Sequence, residues 1–356
     1  MKASVNTLLV GYFGANNFGD EWMLATFLRG CRKFHLPIAP IILSRHPEGT
    51  EAEHDCPAIP RQWRAILKAL QKCQLVIGCG GSLLQDATSF RSLLFYALLF
   101  KQAKMMGKKV ALLGQGLGPL RRQVSQWLTK WALKSCDLVT FRDPMSEKLA
   151  QKLGAMPKRM ALTADLTFAW DEGMHQTSPA ERPYPFGLNL RPLPTSTERM
   201  AKGRGQVWRE VLKEWLKSQG ATLLLLPLQR EVDEKALAPF AEGLPADWWL
   251  WAHWTEALEG IQRVAFLVAM RLHGLIAACL FSVPFVGIGY DPKVSGVLGE
   301  AFKGHLLPLS ASAETVVAVL RQGMETADRF PDRADAFVTE QRRLARQNFL
   351  LLQDLL

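Results

Sequence analysis

The stretch VAFLVAMRLHGLIAACLFSVPFVGIGYDPKV, residues 264–294, decides the fold class of this 356-residue chain. It holds two continuous apolar runs, 264–269 and 283–288, which we interpret as buried strands, with an apolar helical segment between them. A strand, a helix and a second strand in this order form the crossover unit of a parallel sheet. Ligands of such sheets bind beyond the carboxyl ends of the strands. The residues that follow each run are therefore the first candidates for a functional site.

Cationic and titratable side chains follow both runs. Arg271 and His273 come after the first run, and Lys293 comes after the second. Arginine offers a fork of donors to a carboxylate or phosphate, lysine a compact charge, and histidine a proton that titrates near neutral pH. Together they suit a small anion that must be protonated. The alternative is that the two cations are solvated and that His273 caps a helix.

The alternation of strands and helices extends through both halves of the chain. In the first half the predicted strands are residues 7–13, 38–43, 75–78, 110–114 and 138–142. In the second half they are residues 186–190, 221–227, 248–252, 264–270 and 284–289. Because helical segments separate nearly all of these strands, we predict an α/β fold with two Rossmann-like domains facing each other across a cleft, a GT-B-like architecture.

A stretch rich in proline and glycine separates the two halves. We predict an N-terminal Rossmann-like domain over 1–172, a linker over 173–185, a C-terminal Rossmann-like domain over 186–330, and a helix over 331–356 that packs back on the N-terminal domain. One earlier helix has sharp ends in the sequence. Asp143 is its predicted N-cap, Pro144 its first residue, and Gly154 follows its end.

Composition limits the classes of function. Apolar residues make up 48% of the chain and charged residues 21%, which is typical of a globular protein. The net charge of +10 indicates an anionic partner: a phosphorylated metabolite, a nucleic acid or an anionic membrane surface. The six cysteines form no CxxC pair, and no run reaches the about 20 apolar residues of a membrane span. We therefore predict a cytoplasmic protein with reduced thiols.

Two glycine-rich loops also follow predicted strands. The first, GYFGANNFGD at residues 11–20, carries Asn16, Asn17 and Asp20, and its glycines allow the backbone to approach a ligand. The second contains Gly80, Gly81 and Ser82, with Asp86 close behind; all these residues are candidates for substrate contacts. Neither loop matches GxGxxG or has the lysine of a P-loop, which disfavours nicotinamide binding and nucleotide hydrolysis. The alternative is two packing turns, with Asp20 as a helix N-cap.

Two further features carry weaker signals. Arg142 ends the fifth predicted strand, where its side chain would lie at the ligand edge; the alternative is a surface arginine. Lys101, Lys104, Lys108 and Lys109 follow the apolar residues 93–100, so this segment could form a patch that contacts a membrane. The alternative is a buried helix that ends in solvated lysines.

Taken together, eight phrases of the sequence resemble the polysaccharide pyruvyl transferase family. They are GYFGANNFGDEWML, GCGGSLLQD, GQGLGPL, FRDPMS, LNLRP, LPLQ with its following Asp233, MRLHGL and YDPKV. They occur in the family's order and extend from Gly11 to Val294. The chain departs from the family pattern at Leu166, where we expect proline after Asp165, and Trp22 and Met23 are unusual in the first helix.

The resemblance implies a GT-B-like fold and transfer of pyruvate from phosphoenolpyruvate to a sugar, as a cyclic ketal with loss of phosphate. By motif, His273 resembles the family's essential histidine, and Arg142, Arg271 and Lys293 resemble its ligands of the donor anion. The chemistry agrees, because phosphoenolpyruvate carries two anionic groups and its methylene carbon must be protonated.

A carboxylate of the N-terminal domain could accept the proton of the attacking hydroxyl, and Asp20 and Asp86 are the candidates. The acceptor would bind the N-terminal loops, whose candidate contacts are Asn16, Asn17, Gly80, Gly81 and Ser82. The donor would bind the C-terminal domain, with Arg142 reaching it from the other domain. We expect a lipid-linked or nucleotide-linked sugar acceptor, a peripheral contact with the inner face of a membrane, no nucleic acid, no cofactor and no metal.

Two other functions remain open at this level. A glycosyltransferase of the same fold would use a sugar nucleotide and would need a pocket for the base, for which the sequence gives no clear signal. A non-catalytic protein that binds polyanions would explain the net charge but would disperse its cations, whereas an enzyme concentrates them at the edge of a sheet.

Overall fold

The computed structural model describes residues 4–87, 89–171, 178–193 and 204–356, so residues 173–177 of the predicted linker lie outside it. The chain divides into two compact units. The N-terminal unit comprises Met1–Trp170 and Gln341–Leu356, and the C-terminal unit comprises Asp171–Glu340. Each unit contains a parallel β-sheet with helices between successive strands, which confirms the predicted fold class.

The N-terminal unit is built on a seven-stranded sheet. Its strands are β1 (Val5–Phe13), β2 (Ile38–Ser44), β3 (Ala58–Pro60), β4 (Leu75–Cys79), β5 (Lys109–Gln115), β6 (Leu138–Phe141) and β7 (Arg159–Leu162). Its helices are α1 (Phe18–Lys33), α2 (Pro47–His54), α3 (Trp63–Lys72), α4 (Phe90–Met105), α5 (Gln123–Leu133) and α6 (Pro144–Lys152).

The strand order of this sheet is β3-β2-β1-β4-β5-β6-β7, and every neighbouring pair is parallel. The chain progresses in one direction from β1 to β3 and in the other from β4 to β7. The reversal lies between β1 and β4, and such a switch point opens a crevice at the carboxyl ends of the two strands. The loops that follow β1 and β4 are the two glycine-rich loops of the sequence.

Apolar side chains cover both faces of this sheet. Consecutive strand residues such as Val76 and Ile77 belong to two different core clusters. Helices α3, α4, α5 and α6 contribute to the first cluster, and α1 contributes to the second. Because strand side chains alternate between faces, the two clusters are the two sides of one sheet.

The C-terminal unit has a six-stranded parallel sheet of order β10-β9-β8-β11-β12-β13. Its strands are β8 (Tyr184–Asn189), β9 (Leu223–Leu225), β10 (Ala246–Trp248), β11 (Val264–Ala269), β12 (Phe285–Gly289) and β13 (Leu306–Pro308). Its helices are α7 (Arg204–Ser218), α8 (Glu234–Ala241), α9 (Trp254–Gln262), α10 (Leu272–Leu280), α11 (Pro292–Phe302) and α12 (Ala313–Glu325). The switch point of this sheet lies between β8 and β11.

The prediction of a strand over residues 248–252 was wrong. Strand β10 ends at Trp248, and the following backbone turns into the start of α9, where the amide of Ala252 donates to Glu256 Oε2 at 2.7 Å. This carboxylate also accepts a hydrogen bond from the amide of His253, at 3.4 Å. The apolar residues that suggested a strand therefore belong partly to a helix-capping turn.

The last helix, α13 (Phe330–Gln353), continues from the C-terminal unit into the N-terminal unit. Within the N-terminal unit its Phe349 stacks on Phe34, with ring centroids 5.1 Å apart, and on Phe27. Asn348 is fully buried there and accepts hydrogen bonds from the hydroxyls of Thr140 and Thr163. In the described ranges, no helix combines the length and apolar character that crossing a bilayer requires.

Candidate functional site

The switch point of the N-terminal unit carries the two glycine-rich loops, which together with Arg142 we call the glycine edge. Gly14 and Asn16 follow β1 with φ of 67° and 49°, and Gly80 and Gly81 follow β4 with φ of 61° and 72°. These are left-handed conformations, which glycine adopts without strain and asparagine tolerates. The sequence therefore lets both loops turn sharply and present backbone groups at the crevice.

The first loop is held by acidic side chains of α1. The side chain of Asn17, at the N-cap position, donates a hydrogen bond to the Asp20 carboxylate. Glu21 Oε1 accepts from the amide of Gly14 at 2.8 Å, and Glu21 Oε2 lies 3.0 Å from His54 Nε2. Asp20 thus belongs to the first turn of the helix and does not occupy the N-cap position that the alternative interpretation assigned to it.

The second loop packs directly on the first helix. A side chain at Gly80 would bring its Cβ within 2.5 Å of Met23 Sδ, so this close contact requires glycine. A Cβ at Gly81 would lie 3.6 Å from Asp20 Oδ1, which shows that the Asp20 carboxylate faces this loop. Gln115 donates to the carbonyl of Gly80 at 2.8 Å and fixes the loop from β5.

Arg142 lies at the end of β6 and is buried, with 3% of its surface exposed. Its Nη1 donates to Asp165 Oδ2 at 2.7 Å, and its Nη2 donates to Ser82 Oγ at 3.2 Å. Asp165 Oδ1 accepts from the amide and hydroxyl of Thr167. A Cβ at Gly116 would lie 2.8 Å from Arg142 Nη2, so this glycine makes room for the guanidinium.

Asp86 is engaged by the chain that leads into α5. Its two carboxylate oxygens accept hydrogen bonds from the amides of Arg121 and Arg122, at 2.8 and 3.1 Å. Burial by itself raises the pKa of this carboxyl, but the hydrogen bonds from Ser125 and from these two amides outweigh it and lower the pKa below its ordinary value. Asp86 is therefore a stable carboxylate that organises a turn.

The carboxyl ends of β8, β11 and β12, at and beside the switch point of the C-terminal unit, carry the residues that we call the cationic edge: Arg191, Arg271, His273, Tyr290 and Lys293. Arg191 follows β8, and Arg271 is the N-cap of α10, whose second residue is His273. Tyr290 and Lys293 follow β12, and Lys293 is the second residue of α11. Two helix N-termini thus begin at the carboxyl ends of neighbouring strands, where their dipoles favour anions.

A buried aspartate holds Arg271. Asp233 is fully buried, and its Oδ2 accepts from Arg271 Nε at 2.6 Å while its Oδ1 accepts from Arg271 Nη2. Asn189, at the end of β8, donates to Asp233 at 3.2 Å and accepts from the amide of Arg271 at 3.1 Å. Gln229 accepts from Arg271 Nη2 at 2.9 Å. The guanidinium is therefore fixed in orientation by residues of its own unit.

Tyr290 lies between two further cations. Arg191 Nη1 donates to its hydroxyl at 3.2 Å, and Lys293 Nζ lies 5.3 Å from its ring centroid. Burial alone raises the pKa of the Tyr290 phenol, but the positive charges of Lys293, Arg191 and Arg271 outweigh burial and lower the pKa below its ordinary value. Three positive charges therefore act on one phenol at this edge.

Sequence reasoning assigned no role to four residues that the structure joins to these two edges: Asp165, Asp233, Arg191 and Tyr290. Arg191 could have been found by the rule that identified Arg271, because it directly follows a buried strand. Tyr290 stands beside Lys293 in the YDPKV phrase. Asp165 and Asp233 lie 23 and 38 residues from the arginines that they hold, and no local pattern links such partners.

Among solved structures, the chain is similar to an Anabaena protein, HepE, crystallised in complex with UDP and glucose. The two share 12% sequence identity with a TM-score of 0.65, over 99% of this chain and 100% of the other. A putative UDP-N-acetylglucosamine 2-epimerase from Listeria monocytogenes gives 12% and 0.65, over 98% and 95%. A glycosyltransferase from Rickettsia africae gives 10% and 0.60, over 99% and 98%. At these identities the similarity establishes the fold alone.

No curated protein sequence matches the chain. A family model, by contrast, matches residues 17–292, which include the loop after β4, the switch point of the C-terminal unit and every residue of the cationic edge except Lys293. The match covers well over half of the chain, and it agrees with the resemblance carried by the eight sequence phrases. The chain belongs to the polysaccharide pyruvyl transferase family and is therefore an enzyme.

Proposed function

We propose that this enzyme transfers pyruvate from phosphoenolpyruvate to a sugar of a cell-surface polysaccharide or its precursor, forming a cyclic pyruvyl ketal and releasing phosphate. The observation that carries the proposal is the cationic edge of the C-terminal unit. Arg191, Arg271 and Lys293 lie there around one phenol, and a titratable histidine stands on the adjoining helix N-terminus. Family membership supports the reaction class.

The donor side of the proposal rests on charge. Phosphoenolpyruvate carries a carboxylate and a phosphate, and an anion of this kind needs cations and oriented amides to replace its hydration shell. Lys293 and Arg191 supply charge beside Tyr290, while Arg271 is fixed by Asp233 in one orientation. Arg142 stays proposed as a further ligand of the donor anion, with its charge largely balanced by Asp165.

His273 is proposed to protonate the methylene carbon of phosphoenolpyruvate. The electron pair of the carbon–carbon double bond takes this proton, and the central carbon becomes electrophilic. A sugar hydroxyl then bonds to that carbon and loses its proton. The carbon–oxygen bond to phosphate breaks with its electron pair on the phosphate. A second hydroxyl of the same sugar then bonds to the central carbon and closes the ketal, and its proton leaves with the phosphate. The products are the pyruvylated sugar and inorganic phosphate, and no oxidation or reduction occurs.

The acceptor side of the proposal rests on the glycine edge. Asn16, Asn17 and the loop of Gly80, Gly81 and Ser82 present polar groups without a net charge excess, which suits the hydroxyls of a sugar. Asp20 is the preferred base for the hydroxyl proton because its carboxylate faces Gly81. Asp86 is the weaker candidate, since both of its oxygens already accept backbone hydrogen bonds.

The proposed reaction is tested by incubating the enzyme with phosphoenolpyruvate and a series of lipid-linked and nucleotide-linked sugars. We expect phosphate release that depends on the acceptor, together with a stable, acid-labile pyruvyl adduct on the sugar detected by mass spectrometry. Phosphate release without an adduct, or consumption of UDP-sugars in place of phosphoenolpyruvate, would contradict the proposal. If the acceptor is lipid-linked, we also propose that the enzyme is located on the cytoplasmic side of the membrane.

The assignment of the two carboxylates has its own test. Asp20→Asn should reduce turnover of the acceptor while binding of phosphoenolpyruvate, measured by calorimetry, stays unchanged. Asp86→Asn is the comparison. Asparagine has one side-chain oxygen in place of the two that accept backbone hydrogen bonds, so this variant should affect the stability of the turn before α5. If Asp20→Asn lost donor binding and kept acceptor turnover, the division between the two edges would be overturned.

A further inference from the structure

The positive charge of the chain is concentrated in about a fifth of its length. Residues 61–135 contain 13 lysines and arginines and a single acidic residue, Asp86, whereas the whole chain has a net charge of +10. The remaining residues therefore carry a slight excess of acidic side chains. Neither the donor cations of the C-terminal unit nor the glycine edge accounts for this concentration, so it requires an explanation of its own.

Besides strands β4 and β5, the segment contains three neighbouring helices. Helices α3, α4 and α5 pack their apolar sides into the same core cluster, on one face of the N-terminal sheet. Their outer sides are continuous. The ring of Trp63 on α3 lies 5.5 Å from that of Phe95 on α4, and Lys101 Nζ on α4 lies 5.2 Å from the ring of Trp131 on α5. We call this combined outer surface the basic aromatic face.

Large apolar side chains are exposed on this face. Met105 is 72% exposed, Trp127 60%, Trp63 41%, Leu98 40% and Leu67 39%. Trp127 stacks on Trp131 with ring centroids 5.9 Å apart, so the indoles form a fixed pair on α5. Exposed apolar side chains gathered on one surface of a protein mark an interaction site more often than chance.

The lysines of the sequence-predicted patch are only partly available for such a contact. Lys104 Nζ pairs with Asp137 at 2.7 Å, and Lys109 Nζ donates to the carbonyl of Leu355 at 2.6 Å. Charge on the face comes instead from other exposed residues on all three helices: Arg64, Lys68, Arg91 and Lys134. A membrane contact of this unit would therefore involve the outer sides of α3, α4 and α5 more than the end of α4.

We propose that the basic aromatic face docks the enzyme on the surface of an anionic lipid bilayer. Basic side chains are attracted to the anionic headgroups, while Trp, Leu and Met side chains enter the interface. A soluble polyanion such as a nucleic acid would use the cations but would leave Met105 and Leu98 in water. The proposal does not depend on the proposed function, although a lipid-linked acceptor would be presented at the same surface.

The test is co-sedimentation of the full chain with vesicles of phosphatidylcholine, alone or mixed with phosphatidylglycerol. We expect binding to the mixed vesicles that weakens as salt rises. Replacing Lys68, Arg91 and Lys134 together by Gln, one residue at each helix, should weaken binding about 100-fold, since each basic side chain near an anionic bilayer contributes roughly fivefold. The matched control replaces Lys217, Lys235 and Lys303, exposed on the C-terminal unit, and should bind normally.

The apolar contribution is tested separately with Trp127→Ser, whose control is Trp248→Ser at an exposed tryptophan of the C-terminal unit. Trp127→Ser should weaken vesicle binding, and the control should not. The proposal is overturned if the control triple variant loses binding equally, or if Trp127→Ser binds vesicles like the native chain. It is also overturned if the native chain does not bind the mixed vesicles, including the case in which it forms a dimer that Trp127→Ser abolishes. Because the readout is binding, none of these outcomes depends on pyruvyl transfer.

Discussion

Both units place a buried arginine directly after a strand and hold it with a buried aspartate, but the surroundings of the two pairs differ. At the glycine edge, Arg142 faces Asp165 and a serine, and the acidic Asp20 and Glu21 lie on the adjoining helix. At the cationic edge, the pair of Arg271 and Asp233 is joined by further cations. The same pairing of a buried arginine with a buried aspartate thus lies in a crevice of nearly balanced charge in one unit and of positive charge in the other.

The comparison teaches that the arginines themselves do not distinguish the two edges. A bidentate or hydrogen-bonded pair with a buried carboxylate removes much of the net charge of a guanidinium. We propose that selectivity for an anion comes instead from Lys293 and Arg191, the two cations beside Tyr290 for which the described residues show no ion pair with a buried carboxylate. We therefore expect substitutions at the two edges to differ in kind.

The largest expected effect is on turnover. His273→Ala removes the proposed proton donor from the cationic edge and should lower kcat by about 10²–10⁴-fold, with the fold and the affinity for phosphoenolpyruvate retained. Phosphate release and calorimetric binding measure the two quantities. His35→Asn, at an exposed histidine with φ of 51°, is the control and should keep normal turnover. If His273→Ala kept more than about a tenth of the activity, it would not be the general acid.

The second prediction compares how much each arginine–aspartate pair contributes to the free energy of unfolding. Arg142→Met and Arg271→Met each leave a buried carboxylate without its cation, and each should lower the free energy of unfolding by about 3–5 kcal/mol. Adding Asp165→Leu or Asp233→Leu should recover most of that loss, because the carboxylate is then removed as well. Denaturant unfolding followed by circular dichroism is the measurement. If either single substitution left the unfolding midpoint unchanged, the carboxylate of that pair would not be left as an uncompensated buried charge.

The third effect separates donor binding from structure. Lys293→Gln and Arg191→Gln should raise the KM for phosphoenolpyruvate, since a charge-assisted contact is worth on the order of 1.5–3 kcal/mol, with little change in stability. Lys303→Gln, just after the other end of the same helix α11, is the matched control. Arg142→Met should raise the KM less than Lys293→Gln does. The reverse order would place the dominant donor cation at the glycine edge.

The smallest effect is a titration. Burial raises the pKa of Tyr96 to about 12, and a hydrogen bond to Asp247 raises that of Tyr184, whereas the cations lower that of Tyr290. Tyr290 should therefore deprotonate before either of them, as a tyrosinate absorbance that Tyr290→Phe lacks. Bound phosphoenolpyruvate adds negative charge, disfavours the phenolate and should raise this pKa. By linkage, affinity for the donor should fall as the pH rises through it. A pKa unaffected by the donor would separate the donor site from Tyr290.

Much of the fold could be predicted because its signals are local. Continuous apolar runs identified the central strands of both sheets, and the helix from Pro144 is confirmed: Asp143 accepts a hydrogen bond from the amide of Ser146, and Gly154 has φ of 62°. Strands β3, β7 and β13 have only three or four residues and give no periodic signal. They form because neighbouring strands offer backbone partners, which no short window of sequence shows.

The candidate site divides along the same line. A cation directly after a buried strand is visible in the sequence, and this pattern singled out Arg142, Arg271 and Lys293. Their carboxylate partners come from distant segments that only the folded chain brings near. The buried Asn348 is the extreme case, bonded to Thr140 across 208 positions of the chain. Which residues are charged could be predicted, but how far each charge is balanced could not.

The position of Asn348 and Phe349 in α13 has a consequence for the order of synthesis. Asn348 fixes the backbone beside Arg142 and Asp165 through Thr140, Thr163 and the carbonyl of Ala164. The unit that leaves the ribosome first therefore lacks part of its core until the last helix has been translated. The C-terminal unit is complete at Glu340, before residues 341–356 of the N-terminal unit have been translated. Nascent chains would expose the apolar surface that Phe349 covers, so their solubility during translation depends on how quickly that helix arrives.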